Sequence, residues 1–154
     1  MDFPRGQRID PAWLDPSLYP EVQVVQPRFQ DLDPLNHINN VAMAAMFETA
    51  RVRFNHPMRE EFQTDRVRTM VAGQTLNYLA EAHLRPELAF HIGVGHIGTS
   101  SWVLQVMAVQ GGTPVLLAHA TMVTTHEGAA CPVLSGLRAM LEARRLRRDR
   151  KSVV

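Results

Sequence analysis

The sequence predicts an α+β fold in which one long helix packs on a single antiparallel sheet, and three observations support this. Apolar residues recur at helical spacing in one segment: Met43, Met46, Phe47, Ala50 and Phe54. Four β-rich runs follow, and Gly98-Thr99 and Gly111-Gly112 separate the last three as tight hairpins would. Because the strands outnumber the helices, the long helix is expected to cover one sheet face.

The elements are expected in the following order. Residues 1–20 contain four prolines and predict an irregular arm. Residues 21–30 predict a first strand, with Pro27 suited only to an edge or a strand end. The helix is predicted over 39–54, with Asn39 or Asn40 as its cap and His56-Pro57 as its end. The later strands are predicted over 67–80, 88–97, 100–110 and 114–125. Along the last strand, one face is expected to carry Val115, Leu117, His119, Thr121 and Val123.

Composition limits the possible functions. The chain has 154 residues, 45% of them hydrophobic and 20% charged, which indicates one globular domain. A formal net charge of +1 argues against a strongly basic nucleic-acid-binding protein. The charge is uneven, because residues 138–154 hold seven basic and two acidic groups, whereas the remainder is net negative.

The chain therefore divides into the arm 1–20, a main domain 21–130 and a basic tail 131–154. Ser135 is predicted to cap a final helix with a weak apolar stripe formed by Leu137, Met140, Leu141 and Leu146. The charged tail is interpreted as a solvated surface; binding of nucleic acid through it is the alternative, which we do not favour.

The expected location is the cytoplasm. The single cysteine, Cys131, cannot form an internal disulfide, and no apolar run approaches the ~20 residues that span a bilayer. The first eleven residues lack the hydrophobic stretch of a signal peptide. The histidines, His83 among them, are scattered and show no zinc or haem spacing, so neither a metal nor a cofactor is expected.

The densest polar cluster lies over 28–40, directly before the long helix. A helix N-terminus presents free N–H groups and partial positive charge, which can stabilise an oxyanion formed on a carbonyl. A neighbouring carboxylate can act as a general base or as a nucleophile. The same residue types also build ordinary turns and caps, so the residues alone leave both interpretations open.

The order of residues in this cluster resembles a known family. Asp33-x-x-Asn36-His37-Ile38-Asn39-Asn40, followed by Phe47-Glu48-x-Ala50-Arg51, is similar to the acyl-CoA thioesterases of the 4-hydroxybenzoyl-CoA thioesterase family. The resemblance covers residues 22–125. It implies the hotdog fold, a long helix wrapped by an antiparallel sheet of about five strands, and assembly as a dimer or a dimer of dimers.

The resemblance also implies roles for single residues. Asp33 matches the catalytic carboxylate, and Asn40 matches the position whose backbone N–H polarises the thioester carbonyl. Asn36 and His37 match functional positions of the plant acyl-carrier-protein thioesterases, although His37 could instead orient the loop. Glu48 matches a helix glutamate that is catalytic in some members, or it could pair with Arg51 on the helix surface.

Binding of coenzyme A is expected to use residues outside this motif. Ser100-Ser101 resembles a strand turn of the family, but no Lys or Arg occurs between Leu88 and Thr125. Its phosphates would therefore need Arg59, Arg66, Arg68, Arg85, the arm or the tail, and of these Arg68 and Arg85 are the named candidates.

Together these features predict an acyl-CoA thioesterase with Asp33 as base or nucleophile. A non-catalytic protein that binds an acyl or coenzyme A ligand is the alternative, as is an acyl-carrier-protein thioesterase.

Overall fold

The computed structural model describes residues 8–147 and contains one antiparallel sheet wrapped around a long helix. The strands are β1 (Glu21–Val25), β2 (Val67–Tyr78), β3 (Leu88–Ile97), β4 (Ser101–Gln110), β5 (Thr113–His126) and the short β6 (Ala129–Ala130). The helices are α1 (Asn40–Phe62) and α2 (Ser135–Glu142). This is the α+β arrangement expected from the sequence.

The sheet has the order β1-β3-β4-β5-β2, with β6 paired to β5. The predicted hairpin between β4 and β5 forms at Gly111-Gly112, whose φ values of +56° and +82° suit a turn that favours glycine. β1 and β2 are the two ends of this order, so each has one side that faces no other strand within residues 8–147. The long strand β2 becomes important below.

Helix α1 is longer than its sequence pattern predicts. Asn39 caps it as expected, since its Oδ1 accepts a hydrogen bond from the N–H of Ala42 at 2.8 Å. The predicted end at His56-Pro57 is wrong, because the helix contains Pro57 and runs on to Phe62. Proline removes one helical hydrogen bond, but the last turns bury Met58 and pack Phe62 against the core. Packing outweighs the local penalty here.

The helix packs on one face of the sheet and forms the main core with it. Alternate residues of β5 point into this core, including Ala118, Ala120 and Met122. The prediction for the other face fails at Val115, which is buried in the same core as Leu116. The register between β4 and β5 shifts at Ala108/Val109, and this irregularity breaks the alternation.

The arm and the tail both fold onto the body. Leu18 of the arm and Leu146 of the tail pack on the outer sheet face beside Tyr19. Leu137 and Leu141 of α2 join the main core. The expected cap by Ser135 is wrong, since Leu134 occupies the cap position without a side-chain hydrogen bond. Residues 1–7 and 148–154 of the predicted arm and tail lie outside the described residues.

Leu146 does not continue an α2 stripe, because α2 ends at Glu142. Its backbone N–H instead donates to the carbonyl of Val94 in β3 at 2.8 Å. No helix within 8–147 is long and apolar enough to cross a bilayer.

Candidate active site

A rigid turn precedes the candidate catalytic loop. Asp31 is buried, and its carboxylate accepts hydrogen bonds from the backbone N–H of Arg28 at 2.7 Å and from the guanidinium of Arg28 at 3.1 Å. Burial alone would raise the pKa of Asp31, but these hydrogen bonds and the charge of Arg28 lower it below its usual value. The carbonyl of Asp31 also accepts from Asn39 N–H. Asp31 therefore fixes the loop to the start of α1.

Asp33 closes the loop that follows. Its Oδ1 accepts hydrogen bonds from the backbone N–H groups of Leu35 at 2.9 Å and His37 at 3.0 Å. Its own N–H donates to the carbonyl of His37 at 2.8 Å. These contacts use Oδ1, and no hydrogen bond to Oδ2 occurs within residues 8–147. One carboxylate oxygen thus remains for chemistry.

Asn36 lies at the tip of this loop with a φ of +62°. This left-handed conformation favours glycine and is tolerated best by asparagine among the other residues. The Asn36 side chain is exposed and has no hydrogen-bond partner within the described part of the chain. Its backbone conformation accounts for asparagine at this position without a chemical role.

The first turn of α1 supplies free hydrogen-bond donors beside Asp33. The first four N–H groups of a helix have no partner inside the helix. Of these, Asn39 N–H donates to Asp31 and Ala42 N–H to the cap, which leaves those of Asn40 and Val41. The Tyr78 hydroxyl donates to the carbonyl of Asn40 at 3.2 Å and ties β2 to this turn.

A cleft of about 340 Å³ brings three of the predicted residues together. Asp33, His37 and Asn40 line it along with Met43 and Tyr78. The far wall is the segment that follows β2, which contributes residues 79–82.

His37 faces two side chains from that segment. Its Nε2 lies 3.2 Å from Oε2 of Glu81, and its ring meets that of His83 edge-on at 5.3 Å. The sequence pattern assigned His83 no role, and the structure places its ring against that of His37. The two histidines are far apart in the chain, so no local spacing could reveal the contact. Within residues 8–147, no group of three or more His, Cys, Asp or Glu side chains could hold a metal ion.

Glu48 lies outside this cleft, further along α1. It lines a separate groove of about 570 Å³ between α1 and β2, together with Val41, Arg51 and Gly73. Arg51 Nη2 lies 3.5 Å from Glu48, so the pairing expected on the helix is present. Burial lowers the pKa of Arg51, and the charge of Glu48 offsets part of that effect. Its Nε is buried without a hydrogen-bond partner in the described chain.

The expected coenzyme A residues are dispersed. Arg68 lines a polar groove of about 410 Å³ with Arg59 at the other end of α1, and Arg85 is exposed in the segment before β3. Ser101 pairs with Val123, which in turn pairs with Met70 of β2. Since Asn40 contacts Tyr78, the serine turn is roughly 25 Å from Asn40 within one chain, at ~3.3 Å per strand residue.

The cleft therefore combines a carboxylate with a free oxygen, a histidine and Asn40, whose N–H at the helix N-terminus has no partner among the described residues. Such donors are suited to bind a carbonyl oxygen as it gains negative charge. A carboxylate beside them can take a proton from water or attack the carbonyl carbon. Acyl transfer is the chemistry that this set of groups supports.

Comparison with known proteins shows the family and the fold of this chain. Residues 27–141 match the model of the thioesterase-like superfamily. A predicted thioesterase from Bacillus stearothermophilus has the same fold, with a TM-score of 0.76, 19% identity and coverage of 83% of this chain and 98% of that one. A thioesterase from Thermus thermophilus, solved with coenzyme A and Zn, gives a TM-score of 0.72 at 25% identity over 82% of this chain and 95% of its own.

Among curated sequences, the uncharacterized protein YsmA of Bacillus subtilis (strain 168) is 28% identical over 83 residues, 54% of this chain. That match spans 56% of the length of YsmA. The wrapped-helix architecture, the hotdog fold implied by the motif, is thus the fold that this chain shares with these two solved structures. The chain belongs to the thioesterase-like superfamily.

Proposed function

We propose that this protein hydrolyses an acyl-coenzyme A thioester to a free acid and coenzyme A. The observation that carries the proposal is the position of Asp33 in one cleft with Asn40, whose N–H is free at the start of α1. Membership of the thioesterase-like superfamily supports the reaction class. The structure of the Thermus relative with coenzyme A supports the carrier.

The chemistry follows from the two kinds of group. In one course, Asp33 Oδ2 takes a proton from water while the water oxygen bonds to the thioester carbon. In the other course, Oδ2 bonds to that carbon itself, and water later cleaves the mixed anhydride. In both, the N–H groups of Asn40 and Val41 bind the oxyanion, the C–S bond breaks, and the sulfur leaves as a thiolate that is then protonated.

We further propose that two copies of the chain assemble through β2. This strand is twelve residues long, its outer side pairs with no strand in the described part of its own chain, and its Met70 and Val71 are 53% and 38% exposed. An unpaired edge of this length is a template for another strand. Antiparallel self-pairing centred on Gly73 would place Arg68 of the second copy opposite Tyr78, near the cleft.

This assembly would also provide the basic residues that the cleft lacks. Arg68 of a second copy and Arg85 of the same chain are our candidates for the phosphates of coenzyme A. We rank a catalytic role for Glu48 or Asn36 lower, because Glu48 lies in the neighbouring groove and the Asn36 side chain is exposed. Ser100 and Ser101 would contact coenzyme A only in a further copy of the chain or with the coenzyme bound in a different pose.

The decisive experiment measures thiol release from a panel of short, long and aromatic acyl-CoAs by the wild-type protein and Asp33→Asn. We expect turnover in the wild type and a loss of about 100-fold or more in the variant, as for removal of a catalytic base. Wild-type turnover by Asp33→Asn would contradict the assignment.

The same panel, followed by thermal shift, separates catalysis from binding. Stabilisation by acyl-CoAs without thiol release would favour the non-catalytic binding protein. Hydrolysis of acyl groups attached to acyl-carrier protein, but not of acyl-CoAs, would show that acyl-carrier protein is the carrier.

A further inference from the structure

The segment between β2 and β3 is held in one conformation by buried contacts. Its Leu79 N–H donates to the carbonyl of Val115 at 3.0 Å, and Ile38 N–H donates to the carbonyl of Ala82 at 2.7 Å. The second bond joins the segment directly to the residue after His37. Residues 79–87, named here the wall loop, are thus fixed at both the sheet and the catalytic loop.

Gln110, at the end of β4, holds the wall loop at a third point. Its side chain is buried, with Oε1 accepting from His83 N–H at 2.8 Å and Nε2 donating to the carbonyls of His83 and Pro86, both at 2.7 Å. A buried amide with all these partners satisfied restrains the backbone on which it acts. Gln110 therefore holds the wall loop against the sheet.

The restrained loop presents two side chains to one side of His37. Glu81 Oε2 lies 3.2 Å from His37 Nε2, while the ring of His83 meets the His37 ring at an interplanar angle of 75°. The other titratable groups around the same cleft are Asp33 and Tyr78. The His37 side chain is 26% exposed, so these neighbours leave it few alternative positions.

We propose that the wall loop is a positioning element for the hydrolysis, with Glu81 as the positioning residue that orients His37. This inference rests on the proposed function, and the wall loop lies outside the motif that contains His37. A carboxylate facing Nε2 favours the form of the imidazole that carries its proton there. Nδ1 then keeps the lone pair and can accept a hydrogen bond from water or from the substrate.

The position of Glu81 allows a clean test. Its side chain is 69% exposed, so the contact contributes little to stability and its removal leaves the fold intact. Glu87 is the matched control, because it lies in the same loop, is exposed, and has no side-chain partner among residues 8–147. The variants are Glu81→Gln, Glu81→Asp and Glu87→Gln, together with Asp33→Asn as a reference for the reaction itself.

Steady-state kinetics on the best acyl-CoA give the first readout. For Glu81→Gln we expect kcat to fall roughly tenfold with KM within about twofold, as for a misplaced catalytic group. Glu81→Asp should recover most of this loss, and Glu87→Gln should match the wild type. If Asp33→Asn is inactive while Glu81→Gln behaves as Glu87→Gln, the role of Glu81 is wrong and the proposed function stands.

A spectroscopic readout does not need activity. Imidazole ¹⁵N chemical shifts, assigned to His37 with a His37→Gln variant, report which ring nitrogen carries the proton. We expect protonated Nε2 in the neutral imidazole of the wild type and a mixture of the two forms in Glu81→Gln. Identical His37 shifts in both proteins would overturn the inference. Should Asp33→Asn keep full turnover, the proposed function fails, and these shifts still decide whether Glu81 orients His37.

Discussion

The backbone N–H of His37 donates to Oδ1 of Asp33 at 3.0 Å, so the carboxylate proposed for catalysis also closes its own loop. The two functions can be separated because asparagine keeps an Oδ1 acceptor and alanine does not. We expect Asp33→Ala to lose two hydrogen bonds and roughly 1–3 kcal/mol of unfolding free energy, and Asp33→Asn to lose less. Urea denaturation measures both. Equal stabilities would show that these bonds contribute nothing to the loop.

Substitutions of Asn36 test whether this residue serves only the backbone conformation of the turn or also the reaction. With a φ of +62°, glycine should be accepted, whereas alanine should cost about 1 kcal/mol from backbone strain. If the residue serves only the turn, Asn36→Gly keeps wild-type kcat and stability. Loss of kcat in the folded Asn36→Gly variant would restore the chemical role suggested by its motif position.

The lowered pKa of Asp31 predicts that the free energy of unfolding depends on pH in acid. The folded pKa of Asp31 lies below its ordinary value of 3.8, so its stabilising contribution is complete above that value and is lost as the pH falls through the folded pKa. We expect Asp31→Asn to be less stable than the wild type at pH 7 by roughly 1–3 kcal/mol. The difference should shrink below about pH 4. Thermal unfolding from pH 7 to pH 2.5 measures it, with Asp10→Asn as an exposed control. A gap independent of pH would contradict the prediction.

The close packing around Gly93 allows a test of the contact between the tail and β3. A Cβ at this position would lie 2.7 Å from both Leu146 Cδ2 and Pro20 Cδ, so Gly93→Ala should force the tail and arm away from β3. We expect a loss of about 1–3 kcal/mol, the usual cost of overpacking. Gly95→Ala is the control in the same strand, since its nearest contact is 3.6 Å.

A double-mutant cycle with Leu146→Ala then isolates the contact. Removing the leucine side chain should make Gly93→Ala less costly. Strictly additive effects would show that the tail does not occupy this site in solution.

The β2 edge predicts the oligomeric state. Val71→Lys places a charge in the proposed contact between two copies, and in a two-fold assembly the charge enters twice. We expect sedimentation to give a dimer or larger for the wild type and a smaller species for Val71→Lys, with reduced thiol release. Val22→Lys, on the exposed part of the opposite edge strand, is the control. A monomeric wild type at micromolar concentration would count against the proposed assembly.

The sequence was informative wherever the determinant is local. The apolar spacing from Met43 to Phe54 predicts the core face of α1, and Gly111-Gly112 predicts the β4–β5 hairpin because only such residues accept its backbone angles readily. The order of Asp33, His37 and Asn40 predicts that they meet, since the start of a helix immediately follows the loop. These features depend on neighbours within about ten positions.

Features determined by distant contacts were predicted wrongly or were missed. Pro57 stays inside α1 because the core packs Met58 and Phe62, a gain that local propensity does not contain. The partners of His37 could not be read from spacing, because Glu81 and His83 lie in the segment that follows β2, far from His37 along the chain.

What the sequence by itself determined is the class of fold and the placement of the Asp33 loop directly before a helix N-terminus, because periodicity and motif order act over short distances. The tertiary structure decided which surfaces face that loop. Buried Gln110 fixes the wall loop opposite His37, and the basic tail, which looked like a solvated charge run, is attached through Leu146 to β3. Both depend on burial and on hydrogen bonds between residues far apart in the chain, which become defined only when the sheet has formed.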